Sequence, residues 1–469
     1  MDHERAERWK TLLSDERLGD SNVNPTRLPG RSEFDRDYDR IMFSNAFRRM
    51  HDKTQVFPLS PSDHTRTRLT HSLEVSCVGR SLGQMAGKSL DVYHLLPDSL
   101  CYGDVGTIVS AACLAHDIGN PPFGHSGESA IQQWARAQFA NATSVVSKAI
   151  HDTPPVLRKD FEDFEGNAQG FRIFAKLQGR ERKGGLRLTL ATVGAMMKYP
   201  HSSDISNIDA ETSKHDVSRK KFGFFHDDAE LACEALDKLK VKKTASEVYT
   251  RHPLALLMEA ADDICYAIID LEDACLLKVI SYQSVEELLM PIANKNNDFK
   301  VPDYEDEQTK LAVLRANSIN VLTMACEKVY KNNLIDIEAG NFAYSLISQT
   351  GELHDIHEEL KNHARKKVYT NERVLQVEYA GYQAIGGLLD IYSAAIVPDH
   401  ADAKGEKIRE LFPKHYFLLG KEMTGSPDAL IDQLSSYQRL LVVTDYISGM
   451  TDRFAVELFQ RLSGIKLPS

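Results

Sequence analysis

Residues 105–122 read VGTIVSAACLAHDIGNPP, and the order of residue types in this stretch decides the fold class. Ile108, Ala112 and Ala115 recur at the spacing of one helix face, and Val109, Cys113 and His116 share the face beside it. The helix must stop at Gly119-Asn120-Pro121-Pro122, because a proline ring blocks the next turn and offers no backbone donor. From Pro253 to about Leu277 the rhythm is again helical, with proline in the first turn and a run rich in Ala, Leu, Ile and Met that reads as buried. Convincing alternating strands are scarce along the whole chain, so the expected class is all-α.

Two polar stretches interrupt this pattern. Pro200 to Lys221 reads as a lid-like loop, and Asn294 to Lys310 as a separator between two helical halves. The expected division is therefore a leader over 1–40, a catalytic core over 41–290 with the polar insertion near 200–221, and a helical C-terminal region over 291–469 that completes the site and makes subunit contacts. One continuous helical domain is the alternative.

Composition is that of an ordinary globular chain, with 42% hydrophobic and 26% charged residues over 469 positions. The opening MDHERAERWK mixes charges, and no stretch approaches about eighteen consecutive apolar residues, so neither a signal peptide nor a membrane span is expected. Cys77, Cys101, Cys113, Cys233, Cys265, Cys275 and Cys326 are scattered and never form C-x-x-C, which points to reduced thiols in a cytoplasm and away from a cysteine metal site. A net charge of -11 repels polyanions, so a phosphate-bearing substrate needs local positive charge or a cation. Basic clusters lie at Arg48-Arg49, Arg66 to Arg68 and Arg219 to Lys221, although the ordinary reading of such clusters is a solvated face.

The dipeptide His-Asp begins at positions 51, 116, 151, 215, 226 and 354, so the pair alone says little. Only His116-Asp117 ends an apolar helix, where both side chains can leave the core. His71 starts an amphipathic helix, and Asp262 sits mid-helix in LMEAADDICY, where burial is costly unless the carboxylate is paired or binds a cation. Together they offer two imidazoles and two carboxylates, a set suited to manganese, magnesium or iron with positions left open. Asp263 competes with Asp262 for the fourth place. His354-Asp355-Ile356-His357 reads as part of a solvated amphipathic helix and not as a second metal site.

These residues resemble the H…HD…D pattern of the HD superfamily. The words around them, FSNAFRR from Phe43, KTQVF from Lys53, RTRLTHSLEV from Arg66, HDIGNPPFGHSGE from His116, FEGNAQG from Phe164, EAADDICY from Glu259 and VTDYISGMTD from Val443, are similar to bacterial dGTP triphosphohydrolases. The resemblance implies an HD-domain helical core with an added helical C-terminal region, and a divalent metal on His71, His116, Asp117 and Asp262. Mn2+ or Mg2+ come first for that place, ahead of Fe, Co, Ni or Zn. It also implies cleavage of dGTP, or of other dNTPs, to deoxynucleoside and tripolyphosphate by water activated at the α-phosphorus.

Family likeness further places His125, nine residues past the HD histidine, by the scissile bond, with Glu128 to orient it. A histidine–carboxylate pair is a suitable proton donor to a 5′-alkoxide near neutral pH. Asp262, Tyr266 and Asp270 share one helix face at i, i+4 and i+8, which favours Asp262 over Asp263. The likeness assigns Tyr266 and Asp270 to the deoxyribose, Gln55 to sugar and base, Arg68, Lys198, Tyr199 and Lys221 to the phosphates, and Tyr382 and Gln383 to base or sugar. Asn120 and Asn167 stand where the vertebrate SAM-and-HD relative carries histidines, and asparagine can position substrate but not donate a tunable proton. A homo-oligomer, hexameric or tetrameric, and a nucleotide or single-stranded DNA effector are also compatible with the family. Two rivals remain: another HD phosphohydrolase releasing orthophosphate, and a nucleotide- or nucleic-acid-binding scaffold with a vestigial metal site.

Overall fold

The computed structural model describes residues 2–20, 30–57, 65–141, 143–204, 216–296, 299–301, 306–417 and 427–466. Within these, regular structure is helical apart from a small antiparallel pair, Lys243–Ala245 with Val248–Tyr249. The class is all-α.

Two antiparallel helices form the centre, Arg68–Val92 and Tyr102–Ala115. Their approach is set by Gly79, Gly83 and Gly87, spaced so that all three face the partner. A Cβ on Gly83 would lie 2.9 Å from the Gly106 Cα, and one on Gly79 would lie 2.4 Å from the Cys113 sulfur. Because Gly79 faces Cys113 and the helices run in opposite directions, the start of the first meets the end of the second. His71 and His116 are thereby brought side by side. A third helix, Ala255–Leu276, packs across both and is buried along most of its length.

The helix expected over residues 105–116 spans Tyr102–Ala115, with His116 as its C-cap, and the one expected from Pro253 runs from Ala255. The polar separator is shorter than expected: Asp306 accepts from the Gln308 and Thr309 amides and starts the helix Glu307–Asn332 inside it. Residues 205–215 of the expected lid, and 297–298 and 302–305 of the separator, lie outside the described residues. His357, read as part of a solvated helix, is in fact fully buried, with its Nε2 3.0 Å from the Asp263 carbonyl. The helix Glu352–Lys367 turns that edge onto the Asp262 helix, a contact its polar sequence conceals.

Apolar side chains gather in two cores. The first runs from Trp9 and Leu12 through the central helices to Leu360 and Val368, so residues on both sides of position 290 share it. The second joins Ile131, Phe161 and Phe164 to Leu388, Leu389, Leu441 and Val443 of the C-terminal helices Glu372–Ile396 and Ser436–Ser448. A buried ion cluster spans the two: Arg172 donates to Asp445 at 2.8 Å and to Asp227 and Asp228 at 2.8 and 3.1 Å. The helices bearing His71, His116 and Asp262 pack into the first core, and the helix that His125 opens packs into the second.

Candidate active site and metal centre

Ligand atoms of His71, His116 and Asp117 lie within 4.8 Å of one another. Asp262 completes the group, its Oδ1 lying 3.3 Å from His71 Nε2 and 3.4 Å from His116 Nε2. The four residues come from three helices, and the fold alone makes them neighbours. His116 Nδ1 donates to the Cys113 carbonyl at 2.7 Å, which leaves Nε2 turned towards the Asp117 and Asp262 carboxylates. That Nε2 is buried without a hydrogen-bond partner. A buried ring nitrogen without a hydrogen-bond partner, facing two carboxylates, marks a place for positive charge, and the mixed nitrogen and oxygen donors fit a divalent ion with open positions.

Electrostatics agree with the geometry. Burial works against a charged imidazole, yet Asp117 and Asp262 hold His116 up to about 9. Burial likewise opposes the Asp117 carboxylate, but Arg68 and His116 bring it down to about 2. The centre is built to keep its carboxylates ionised around positive charge. Asp263, the rival ligand, is raised to about 7 by burial, and Glu259 and Asp262 add to the rise while Lys198 opposes it.

Arg68 and Asn120 both hold Asp117, the guanidinium on Oδ2 at 2.5 Å and the amide on Oδ1 at 2.5 Å. Arg68 Nε is left buried without a partner. Gly119 explains how the next segment arrives, since a Cβ there would fall 2.1 Å from the Gly166 carbonyl. Only hydrogen lets the FEGNAQG segment lie on this turn. Asn167 lines a narrow cavity with His116 and Lys198, and its amide reaches Glu165 at 3.5 Å. Lys198 lies 3.6 Å from Glu259 with Tyr199 buried next to it.

His125 opens the helix His125–Ala140, and its Nδ1 donates to Glu128 Oε2 at 2.8 Å. The Glu128 carboxylate is buried and also accepts from Gly166 N at 2.8 Å. The imidazole is 76% exposed, so its outer nitrogen faces open space. Lys221 sits 2.9 Å from Glu165 and 3.8 Å from Glu128. One ammonium is thus shared between two carboxylates. Burial and the neighbouring Glu128 push Glu165 up to about 7.

That arrangement carries a stability signature. A carboxyl raised on folding favours the folded state below its ordinary value of 4.5, and loses this contribution as pH rises through about 7. Glu165→Gln is therefore expected to gain on wild type in melting temperature as pH goes from about 5 to about 8. A difference that stays flat across that range would refute the assignment.

On the far side of Asp262, Tyr266 and Asp270 follow on the same helix face. Tyr369, which the sequence reading did not single out, donates its hydroxyl to Asp270, and its ring lies 6.2 Å from that of Tyr266. Asp270 Oδ1 is buried and without a partner, and so is Gln55 Oε1. Burial is the main reason Asp270 rises to about 8, with Asp273 adding to it. Tyr382 is half-buried against the second core and Gln383 is exposed, and neither joins the residues described above. Tyr369 and Glu165 were missed for different reasons. Glu165 stood inside a quoted motif, whereas nothing near Tyr369 in the chain points to Asp270.

Comparison with known proteins adds an independent line. Residues 68–165 match the HD domain, and residues 397–461 match the phosphohydrolase-associated domain. A deoxyguanosinetriphosphate triphosphohydrolase-like protein of Synechocystis is 40% identical over 463 residues, covering 98% of this chain and 100% of its own. A protein of the same description from Pseudomonas aeruginosa is 38% identical over 477 residues, with the same coverage. A deoxyguanosinetriphosphate triphosphohydrolase of Klebsiella pneumoniae is 32% identical over 487 residues, covering 92% of this chain and 94% of its own.

Proposed function

Since the chain belongs to the deoxyguanosinetriphosphate triphosphohydrolase family of HD-domain, metal-dependent hydrolases, we propose that it cleaves dGTP, and other dNTPs less well, to deoxynucleoside and tripolyphosphate. The observation that carries this reading is the juxtaposition of three groups: the His71, His116, Asp117 and Asp262 centre, the His125–Glu128 pair, and the Tyr266–Asp270–Tyr369 wall. His71, His116, Asp117 and Asp262 would hold a divalent cation, Mn2+ or Mg2+ before Fe, Co, Ni or Zn, which when bound would supply Lewis acidity at the α-phosphate and activate water.

The protein's own residues do the rest. Arg68 is held in place by Asp117 and, with Lys198, Tyr199 and Lys221, meets the negative charge of the triphosphate. Lys221 then exchanges its carboxylate partners for phosphate oxygens. Asn120 and Asn167 position the substrate. As the bond from the α-phosphorus to O5′ breaks, His125 passes the proton on its outer nitrogen to O5′, and Glu128 steadies the ring through Nδ1. Asp270 and Gln55, whose Oδ1 and Oε1 are buried without a partner, hydrogen-bond the 3′-hydroxyl. Tyr266 packed at C2′ disfavours a ribose hydroxyl by its bulk. Tyr382 and Gln383 are assigned to the base or sugar on family likeness alone.

The same reading includes a homo-oligomer, supported by the exposed Phe43, Leu375 and Tyr379, and leaves room for a nucleotide or single-stranded DNA effector. It also includes a cytoplasmic location, supported by seven free thiols. Among the described residues, no helix is long and apolar enough to cross a membrane.

The test is incubation of the purified chain with each dNTP and with GTP, with and without Mn2+, resolving nucleoside from nucleotide and tripolyphosphate from orthophosphate. Deoxyguanosine and tripolyphosphate are expected only with metal, with GTP turned over poorly. Release of orthophosphate, or turnover of GTP as fast as dGTP, would overturn the proposal.

A further inference from the structure

The turn that leads into His125 is left-handed at two successive residues, with φ +62° at Phe123 and +56° at Gly124. An aromatic residue avoids this conformation unless its surroundings impose it. Here the surroundings come from the far end of the chain. Phe123 N donates to Asp452 Oδ1 at 2.9 Å, across 329 residues of sequence. The second oxygen of the same carboxylate accepts from Thr54 N at 2.9 Å. Thr54 precedes Gln55, and Gly124 lies so close to Arg68 that a Cβ would fall 2.3 Å from its guanidinium.

Asp452 is 1% exposed and is the first residue of the helix Asp452–Leu462. It is not needed to cap that helix, because Thr451 already accepts from Phe454 N. Both of its oxygens are instead spent on backbone amides of the candidate site. Lys53 reinforces the same joint, donating to the Asn120 carbonyl at 2.6 Å and to the Ser448 carbonyl at 2.8 Å.

We infer that Asp452 is a positioning residue of the active site: its carboxylate clamps the Thr54 and Phe123 amides, and so fixes Gln55, Arg68 and His125 relative to one another. Its effect on turnover rests on the hydrolase reading above, whereas the clamp does not. By this route the C-terminal region sets the geometry of a pocket whose proposed metal ligands all come from the N-terminal part. Asparagine at 452 has one carbonyl oxygen and accepts only one of the two amides, leaving its own N–H groups against the other.

The experiment compares full-length wild type with Asp452→Asn, Asp452→Ala and, as a control, Asp402→Ala. Asp402 caps the helix Ala403–Leu411 in the same region, its side chain accepting from Gly405 N. Steady-state kinetics with dGTP and Mn2+ are paired with amide hydrogen exchange on the metal-free protein. Asp452→Asn is expected to lose about tenfold in kcat with a smaller change in KM. Its peptides containing Thr54 and Phe123 should exchange faster. Asp402→Ala should lower Tm and leave kcat unchanged.

A kcat within twofold of wild type, unaltered exchange at both amides, or an equal loss of kcat in Asp402→Ala would each overturn the inference. If Asp452→Ala fails to fold, the asparagine variant decides. If wild type turns over no dNTP, the substrate reading fails, and the exchange data still decide the clamp.

Discussion

Asp117→Asn is expected to cut turnover by about a thousandfold or more, equivalent to about 4 kcal/mol of lost transition-state stabilisation. The substitution keeps the shape of the side chain and a carbonyl oxygen for Arg68, and costs the bond from the Asn120 amide, which then meets another N–H group. What it removes is the charge that faces His116 Nε2 at 3.6 Å and helps complete the cation site. Titration calorimetry with Mn2+ should show binding weakened in parallel with activity, with a smaller fall in melting temperature than in Asp117→Ala. Asp117→Ala is a poorer probe, because it also strands the buried Arg68 guanidinium without its partner, a cost of roughly 3–5 kcal/mol in stability. Undiminished Mn2+ binding in Asp117→Asn would remove this residue from the centre.

His125→Ala carries the second large effect, with the opposite signature on metal. Loss of a proton donor to the leaving oxygen should lower kcat by roughly a hundredfold to ten-thousandfold. Cation binding should be unchanged, since no ligand of the centre touches His125 directly. Stability should hardly move, because the imidazole is mostly exposed and only its bond to Glu128 is lost. The two residues act as a unit through the Nδ1 contact, so a His125→Ala, Glu128→Gln double variant should be little worse than His125→Ala alone. Fully multiplicative losses would mean that Glu128 acts elsewhere, for instance through Gly166 or Lys221.

The contrast between these variants divides the site by the kind of information that specifies it. His116-Asp117 was legible because its meaning is local: an apolar helix of fixed period stops at two prolines, and whatever stands at the stop must leave the core. The stripe of Asp262, Tyr266 and Asp270 was legible for the same reason, since helix geometry places residues four apart on one face. The all-helical class followed from repetition of that period. His71 joined the set through family likeness and not through spacing.

By itself, then, the amino-acid order determined the helices, the places where they end, and which polar groups each end or face presents. Only tertiary structure decided which of those groups meet. Three glycines let two helices close until His71 and His116 are neighbours, Tyr369 reaches Asp270 from another helix, and Asp452 reaches back 398 residues to Thr54. The physical reason is that a helix is made of hydrogen bonds between residues four apart, which leave a periodic trace in the chain. A contact between distant segments depends on packing of the whole core and leaves no period to read.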